Sequence, residues 1–328
     1  MKIAVDGFGG DNSPSEVVKG CINAVNQADD IEIVLVGKQD VLEPMVRERY
    51  SGDKISFVNA ESVISCEEDP VMAIRRKKDS SLVVLFNLLK DGVVDGGVSA
   101  GSSGAVLSCG CFICKRIRGI SRPCLIPELP TLKDSTVALA DCGANVNCTP
   151  EYLLQFAKMG VAYMRAVRKI ENPRVGILNN GAEDTKGNEL TKNTFALLKA
   201  SDLNFVGSCE ARDLLSGDFD VVVCDGFDGN IALKSCEGTA NAIFKLLKEG
   251  MAKSLRAKIG AALLYPVLKS IKKKLDYSEK GGAGLVGIQK PFVKCHGSSK
   301  AKTFTASILQ CNEMAKADLC GKITDIIE

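Results

Sequence analysis

The chain has 328 residues, 45% of them hydrophobic and 25% charged, with a formal net charge of +2. Such proportions exclude a disordered polyelectrolyte and leave no basic excess for coating nucleic acid. The length exceeds the usual domain of roughly 100–200 residues, yet α/β units often reach it as one body.

In chain order, Lys2–Asp6 reads as a first strand. It has none of the charged, apolar and small-residue regions of a secretory signal, so a cytoplasmic location is expected. Ser13-Pro14-Ser15-Glu16 predicts a helix start, with a serine cap, a proline at the first helical position and a glutamate placed to return to the cap. Further strands are predicted at Ile31–Val36, Ile55–Val58, Val93–Val98, Thr136–Asp141, Arg174–Leu178, Asn204–Val206 and Phe219–Cys224, with helical patterns between them. That alternation indicates a mostly parallel sheet covered by helices. Ile33-Val34-Leu35-Val36 and Val221-Val222-Val223 are apolar throughout, as central strands buried on both faces are. Arg75-Arg76-Lys77-Lys78 is expected to end a helix, where cations suit the dipole, with anion contact as the alternative, and Thr149-Pro150-Glu151 opens one reaching about Val167. No repeat, low-complexity tract or linker interrupts the chain. Residues 1–328 are therefore expected to form a single α/β catalytic domain, with a helical hairpin at 241–276 protruding from it.

Glycine-rich loops follow the strands: Gly7-Phe8-Gly9-Gly10-Asp11-Asn12, Ser99-Ala100-Gly101-Ser102-Ser103-Gly104, Cys142-Gly143-Ala144-Asn145, Asn179-Asn180-Gly181-Ala182-Glu183 and Asp225-Gly226-Phe227-Asp228-Gly229-Asn230. In an open α/β sheet ligands bind outside the carboxyl ends of the strands, so these loops are expected to meet at one crevice. Gly101-Ser102-Ser103-Gly104 is uncharged and predicted to open a helix, so its N–H groups, hydroxyls and helix dipole would converge on a phosphate-like anion. A tight turn with capping serines is the alternative there. Neither a GxGxxG fingerprint nor a Walker A ending occurs, so NAD and ATP lose weight and no cofactor is expected. His296 is the only histidine and follows no Gly-x-Ser-x-Gly elbow, which leaves a serine–histidine triad without support. Cys109, Cys111 and Cys114 invite a metal reading, but no second ligand pair stands nearby. Core packing is the expectation for them, and reduced thiols for all 14 cysteines.

Taken in order, the loops resemble the bacterial phosphate acyltransferases of phospholipid synthesis. The matching segments run from Gly9-Gly10-Asp11 through Arg76-Lys77-Lys78-Asp79-Ser80-Ser81, Val98-Ser99-Ala100-Gly101, Gly119-Ile120-Ser121-Arg122-Pro123, Leu129-Pro130-Thr131, Gly143-Ala144-Asn145-Val146, Gln155-Phe156-Ala157, Lys186-Gly187, Asp225-Gly226-Phe227 and Gly229-Asn230 to His296-Gly297-Ser298-Ser299. Departures are Ser102-Ser103, where the family usually has Asn-Thr, and Gly207-Ser208-Cys209-Glu210-Ala211-Arg212-Asp213, where it has Gly-Asn-x-Glu-Gly-Arg-Asp. The resemblance implies a three-layer α/β/α, isopropylmalate-dehydrogenase-like fold and conversion of acyl-[acyl-carrier-protein] and inorganic phosphate to acyl phosphate. It implies catalytic roles for Lys186 and Asn230, with substrate or phosphate binding by Gly101, Ser102, Ser103, Gly104, Asn145 and Gly229. It further implies a homodimer, acyl carrier protein as partner, peripheral contact with the cytoplasmic membrane, and a downstream membrane acyltransferase that uses the acyl phosphate; nucleic acid is not expected as a partner.

Between Lys245 and Lys274 nine basic residues face the single acid Glu249, and they flank the nearly uncharged Ile259–Leu268. That segment is too short to span a bilayer of ~30 Å but suits shallow insertion among anionic headgroups, with Pro266 expected to supply the turn between two helices. Packing across a dimer interface is the alternative. Two other functions stay open: a metal- and NAD-dependent dehydrogenase of the same fold, for which Asp225 and Asp228 give a partial carboxylate set, and a non-catalytic scaffold for acyl carrier protein and membrane.

Overall fold

The computed structural model describes residues 1–275 and 280–327. The strands are β1 (Lys2–Asp6), β2 (Glu32–Gly37), β3 (Ile55–Asn59), β4 (Gly96–Ser99), β5 (Cys124–Ile126), β6 (Glu128–Pro130), β7 (Thr136–Ala140), β8 (Val175–Asn179), β9 (Phe205–Glu210), β10 (Val221–Val223), β11 (Ala283–Val286) and β12 (Phe292–Lys294). The helices are α1 (Ser15–Gln27), α2 (Gln39–Arg47), α3 (Pro70–Arg76), α4 (Ser81–Lys90), α5 (Ser103–Cys109), α6 (Pro150–Arg168), α7 (Glu189–Ala200), α8 (Gly226–Ala252), α9 (Leu255–Leu275), α10 (Ala301–Lys316) and α11 (Leu319–Ile327).

The expected α/β architecture is present, but the strands divide into two sheets. Seven run in the order β3-β2-β1-β4-β12-β11-β5 and five in the order β6-β7-β10-β8-β9. Pairing is parallel from β3 to β12 and from β7 to β9, and antiparallel at β12–β11, β11–β5 and β6–β7. The chain steps from one sheet to the other at Pro127, between β5 and β6. A proline has no N–H to continue a ladder, which suits a point where pairing changes sheets. Ile33, Leu35 and Val36 of β2 and all of β10 are fully buried, as double-faced burial requires.

The core is organised by two helices that bury most of their faces. On α6, Leu153, Phe156, Met159, Tyr163 and Met164 are fully buried, and Gly160 lies so close to Val221 that a Cβ would come within 2.6 Å. On α10, Phe304, Ile308, Cys311 and Met314 pack inward, and Gly20 allows α1 to close on Phe304. This close packing corrects the expected cap at Ser13. The Ser13 hydroxyl donates back to the Gly10 carbonyl, at 2.8 Å, and α1 begins at Ser15. Glu16 accepts instead from the Ala301 N–H at the start of α10, at 2.9 Å, because the two helices lie side by side. The other cap-then-proline start stands: Thr149 precedes Pro150 at the head of α6. Cys109 and Cys114 lie in the core.

The first helix of the hairpin, α8, starts at Gly226 with Gly226, Gly229 and Ala232 buried, and its residues beyond 240 are largely exposed; the predicted end, Asp276, lies outside the described residues. The hairpin's turn is at Lys253-Ser254, where the Ser254 hydroxyl accepts from the Ala257 N–H. Pro266 lies within α9 and does not make the turn. Its missing N–H leaves one carbonyl of an exposed helix to solvent, which a surface helix tolerates better than a buried one.

Candidate active site

Each sheet ends a strand in a buried aspartate that organises a glycine loop. Asp6, at the end of β1, accepts from the Ser99 hydroxyl at 2.7 Å and the Phe8 N–H at 3.1 Å. Ser99 Oγ in turn accepts from the Gly101 N–H at 2.9 Å, so the first strand fixes the loop after the fourth. Asp141, following β7, is the hub of the small sheet. Its carboxylate accepts from the N–H groups of Leu125 (2.7 Å), Cys142 (2.6 Å), Ala144 (3.0 Å) and Asn145 (2.6 Å), and from the Asn145 amide (3.0 Å). Burial pushes its pKa up to about 6 against these hydrogen bonds.

α8 is docked onto that hub. Asp225 caps it, accepting from the Phe227 and Asp228 N–H groups at 2.9 and 2.8 Å, and the Gly226 N–H donates to the Asn145 carbonyl at 2.7 Å. A Cβ at Gly229 would lie 2.1 Å from the Asp141 carbonyl oxygen, so only glycine permits this approach. Asn230 is thereby held against Gly143, where a Cβ would lie 3.9 Å from Asn230 Cβ and Cγ.

Ser103, Cys142 and Asn230, from the loops and helix starts after β4, β7 and β10, border a cleft of about 450 Å³ together with the loop after β12, while no residue of Gly7–Asn12 or Asn179–Glu183 lines it. Leu125, Pro127, Leu129 and Leu233 give it an apolar side, while Ser103, Asn230, Lys234, Lys294, His296 and Ser299 give it polar groups. Asn230, Lys234, Glu237 and Asn241 fall on one face of α8 by helical spacing, and all four line the cleft. Lys234 pairs with Glu237 at 2.8 Å.

His296 Nδ1 meets the Ser298 hydroxyl at 2.8 Å and accepts from the Ser298 N–H at 3.3 Å. These donors place the neutral ring's proton on Nε2. Burial, with Lys234 beside it, lowers its pKa and favours that neutral form. Cys142 and Cys295 also border the cleft. Burial pushes the Cys295 thiol up to about 11, and burial together with Asp141 pushes Cys142 higher still, so neither is a ready thiolate.

A family model described as fatty acid synthesis protein matches residues 1–322. The phosphate acyltransferase of Geobacillus thermodenitrificans (strain NG80-2) is 47% identical over 328 residues, covering 100% of this chain and 99% of the relative. The chain belongs to the phosphate acyltransferase family. A second member, from Bacillus cereus (strain B4264), is 46% identical, covering 100% of this chain and 98% of its own. Among solved structures, a phosphotransacetylase from Streptococcus pyogenes superposes with a TM-score of 0.63 at 17% identity, covering 97% of this chain and 94% of that one. A branched-chain phosphotransacylase from Enterococcus faecalis V583 gives 0.61 at 12% identity, covering 96% and 99%. At those identities the likeness is one of fold.

Of the residues singled out by the phosphate acyltransferase pattern, Ser103 and Asn230 come together at the cleft. Ser103 does open a helix, α5. Gly101 adjoins the Asp6–Ser99 pair, Ser102 precedes the helix, and Gly104 is packed on Pro70, where a Cβ would come within 2.7 Å. Asn145 is buried, its amide nitrogen bonded to the Pro123 carbonyl and Asp141, so it shapes the loop from within. Lys186 is exposed on the loop after β8, which neighbours β10 in the same parallel sheet, and is not among the residues lining the cleft. Asn179 Nδ2 ties the Lys186 carbonyl (3.3 Å) to the Ser208 hydroxyl (3.1 Å), which gives the departing Ser208 a part in holding that loop. Asp225, half of the carboxylate pair a metal-dependent dehydrogenase would need, is engaged in capping α8. The chief residues missed by sequence reasoning are Asp141, Lys234 and Lys294. Lys294 ends a short apolar run before Gly297, the same strand-then-glycine signal that marked the other loops.

Proposed function

We propose that this chain transfers the acyl group of acyl-[acyl-carrier-protein] to inorganic phosphate, releasing acyl phosphate and free carrier protein for phospholipid synthesis. The observation that carries the reading is full-length kinship with phosphate acyltransferases at 47% identity, joined to a cleft with an apolar side and a polar one that includes Lys234, Lys294 and Lys300. The apolar side suits the acyl chain, and the lysines suit phosphate. A phosphate oxygen attacks the thioester carbonyl, the tetrahedral oxyanion collapses, and the C–S bond breaks to release the carrier thiolate. Phosphate near neutral pH is already partly dianionic, and a thiol of pKa ~8.5 leaves without strong acid assistance, so no histidine base is needed. The Asn230 amide donates to phosphate or oxyanion, and Lys186, on the loop after β8 outside the cleft lining, is the second group that the family pattern assigns to catalysis. The protonated cysteines at the cleft favour direct transfer over an acyl-enzyme.

The same reading makes the protein a homodimer at the cytoplasmic membrane surface. α8 and α9 expose Leu246, Leu255, Ile259, Leu263 and Tyr265, with Leu263 at 78%, and a single copy leaves this apolar surface uncovered. No helix among the described residues is long and apolar enough to cross a membrane. The acyl phosphate, a reactive mixed anhydride, would pass to a membrane acyltransferase close by. The test is to mix the protein with acyl-[acyl-carrier-protein] and radiolabelled inorganic phosphate and follow labelled acyl phosphate together with the free carrier thiol. Phosphate-dependent product is expected; intact carrier binding without thioester loss would select the scaffold reading, and a kinetically competent acyl adduct on the protein would overturn direct transfer.

A further inference from the structure

Deepening the acyltransferase reading, we propose that Lys294 and Ser299, on the strand end and loop of β12, form the seat of the attacking inorganic phosphate. Lys294 is only 9% exposed and lines the cleft. Its ammonium has one hydrogen-bond acceptor among the described residues, the carbonyl of Cys295. A buried lysine with so little to hold it is costly unless an anion joins it. Ser299, 6% exposed, lines the same cleft, and its hydroxyl is buried with no partner. A buried hydroxyl without a bond is rare in a folded protein and marks a place where a ligand completes the set.

The loop that carries them is held in place from β1. The Asp11 N–H donates to the Gly297 carbonyl at 2.8 Å, and the Asn12 amide donates to the Ser298 and Ser299 carbonyls at 3.0 and 3.2 Å. The serine is thus positioned by the first glycine loop, not by chance of a mobile segment. Depth decides the ligand. Lys234 and Lys300 border the cleft with more exposed side chains, where a carrier-borne phosphodiester can be met, whereas the buried pair accepts only a small anion. The charged and titratable groups acting on Lys294 are Asp11, Cys295, Cys66 and Lys234, with burial opposing its charge most strongly. A dianion placed there reverses that pressure, so phosphate binding is accompanied by proton uptake onto Lys294 wherever the lysine is part neutral.

The experiment is titration calorimetry of inorganic phosphate into the whole protein in buffers of differing ionisation enthalpy, with Lys294→Met and Ser299→Ala beside wild type, and steady-state kinetics on the same proteins. Loss of one charged hydrogen bond predicts phosphate affinity and KM weakened by on the order of 30-fold in Lys294→Met and about 10-fold in Ser299→Ala, with the KM for acyl carrier protein substrate unchanged within about 3-fold. At alkaline pH, where free phosphate is already dianionic and the depressed Lys294 begins to lose its proton, binding takes up more protons in wild type than in Lys294→Met. Ser299→Ala removes a hydroxyl that bonds nothing in the protein, so its Tm equals or exceeds that of wild type; it keeps the test decisive even where Lys294→Met fails to fold. Wild-type phosphate affinity in a folded Ser299→Ala or Lys294→Met, or a rise confined to the KM for the carrier substrate, overturns the assignment. If wild type makes no acyl phosphate yet binds phosphate through these residues, the acyltransferase reading fails and the phosphate seat stands.

Discussion

The docking of α8 on Asp141 makes a sharp contrast between two glycines of one helix. At Gly229 an added Cβ would lie 2.1 Å from the Asp141 carbonyl oxygen and 2.8 Å from Cys224 Sγ, where ordinary contact begins at 3.4 Å. The oxygen is backbone and cannot swing away, so Gly229→Ala must push the helix or the loop by on the order of 1 Å, an overpacking strain of about 1–3 kcal/mol. That movement also strains the Gly226-to-Asn145 hydrogen bond, worth about 1 kcal/mol, while alanine's helix propensity returns roughly as much. The net expectation is a loss of about 1–3 kcal/mol. At Gly238, still within α8, an added Cβ meets nothing within 4 Å, so Gly238→Ala is expected to gain about 0.5–1 kcal/mol. Urea unfolding followed by circular dichroism reads the difference, about 1.5–4 kcal/mol between the two variants. Activity divides the same way: Gly229→Ala displaces the neighbouring Asn230 and loses kcat by on the order of 10²-fold, while Gly238→Ala keeps it. Equal stabilities, or the reverse order, would refute the claim that close backbone approach sets Asn230.

Replacing Lys186 or Asn230 with alanine is expected to lower kcat by on the order of 10²-fold with the fold intact by circular dichroism; near-wild-type turnover in both would reduce them to a surface lysine and a turn asparagine. Leu263→Glu with Leu264→Glu is expected to abolish co-sedimentation with anionic liposomes, each nearby lysine adding about 1 kcal/mol to that contact in wild type, whereas loss of dimerisation alone would assign the surface to the second copy. Lys19 first, and then the Ala301 N–H, hold the Glu16 carboxyl below its usual range, so its stabilising effect is present above pH 4.5 and is lost as pH falls through the depressed value. Glu16→Gln should therefore cost about 0.5–1 kcal/mol near neutral pH and nothing in strong acid; a pH-independent difference in urea midpoints would contradict this.

The long buried strands were legible because double-faced burial writes itself as uninterrupted β-branched runs: β1 is found at its predicted bounds, and β2, β3, β7, β8 and β10 within a residue or two of theirs. Val93–Asp95 does not join β4, because the Val93 N–H closes the end of α4 on Leu88. The strands that went unread, β5, β6, β11 and β12, are three or four residues long and stand beside Pro123, Pro127, Pro130, Pro291 or among glycines. Proline argues against a strand in any local scheme, yet at a sheet boundary its missing N–H does no harm.

The part of the site that rested on recurring loops was legible for the same reason the long strands were: each loop announces itself next to its own strand. What local pattern cannot carry is which loops meet. Asp141 closes its N–H set with Leu125 from β5 and holds α8 through the Asn145 loop, contacts between segments far apart in the chain. Glu128 is another case: its side chain is fully buried in the wall of the cleft, accepting from the Tyr163 hydroxyl at 2.6 Å and from both Nε and Nη2 of Arg168 at 2.7 Å. Gln310 of α10 donates to the same tyrosine oxygen at 3.0 Å. In the sequence these four are an acid in a proline-rich stretch, two members of an amphipathic helix and a glutamine. Only the fold makes them one network, because hydrophobic period reports that a face is buried and is silent on what lies opposite it. The same silence hid Lys294: a lysine at the end of a short run reads as a solvated strand end, and its significance appears only when β4 and β11 close on either side of β12 and bury it.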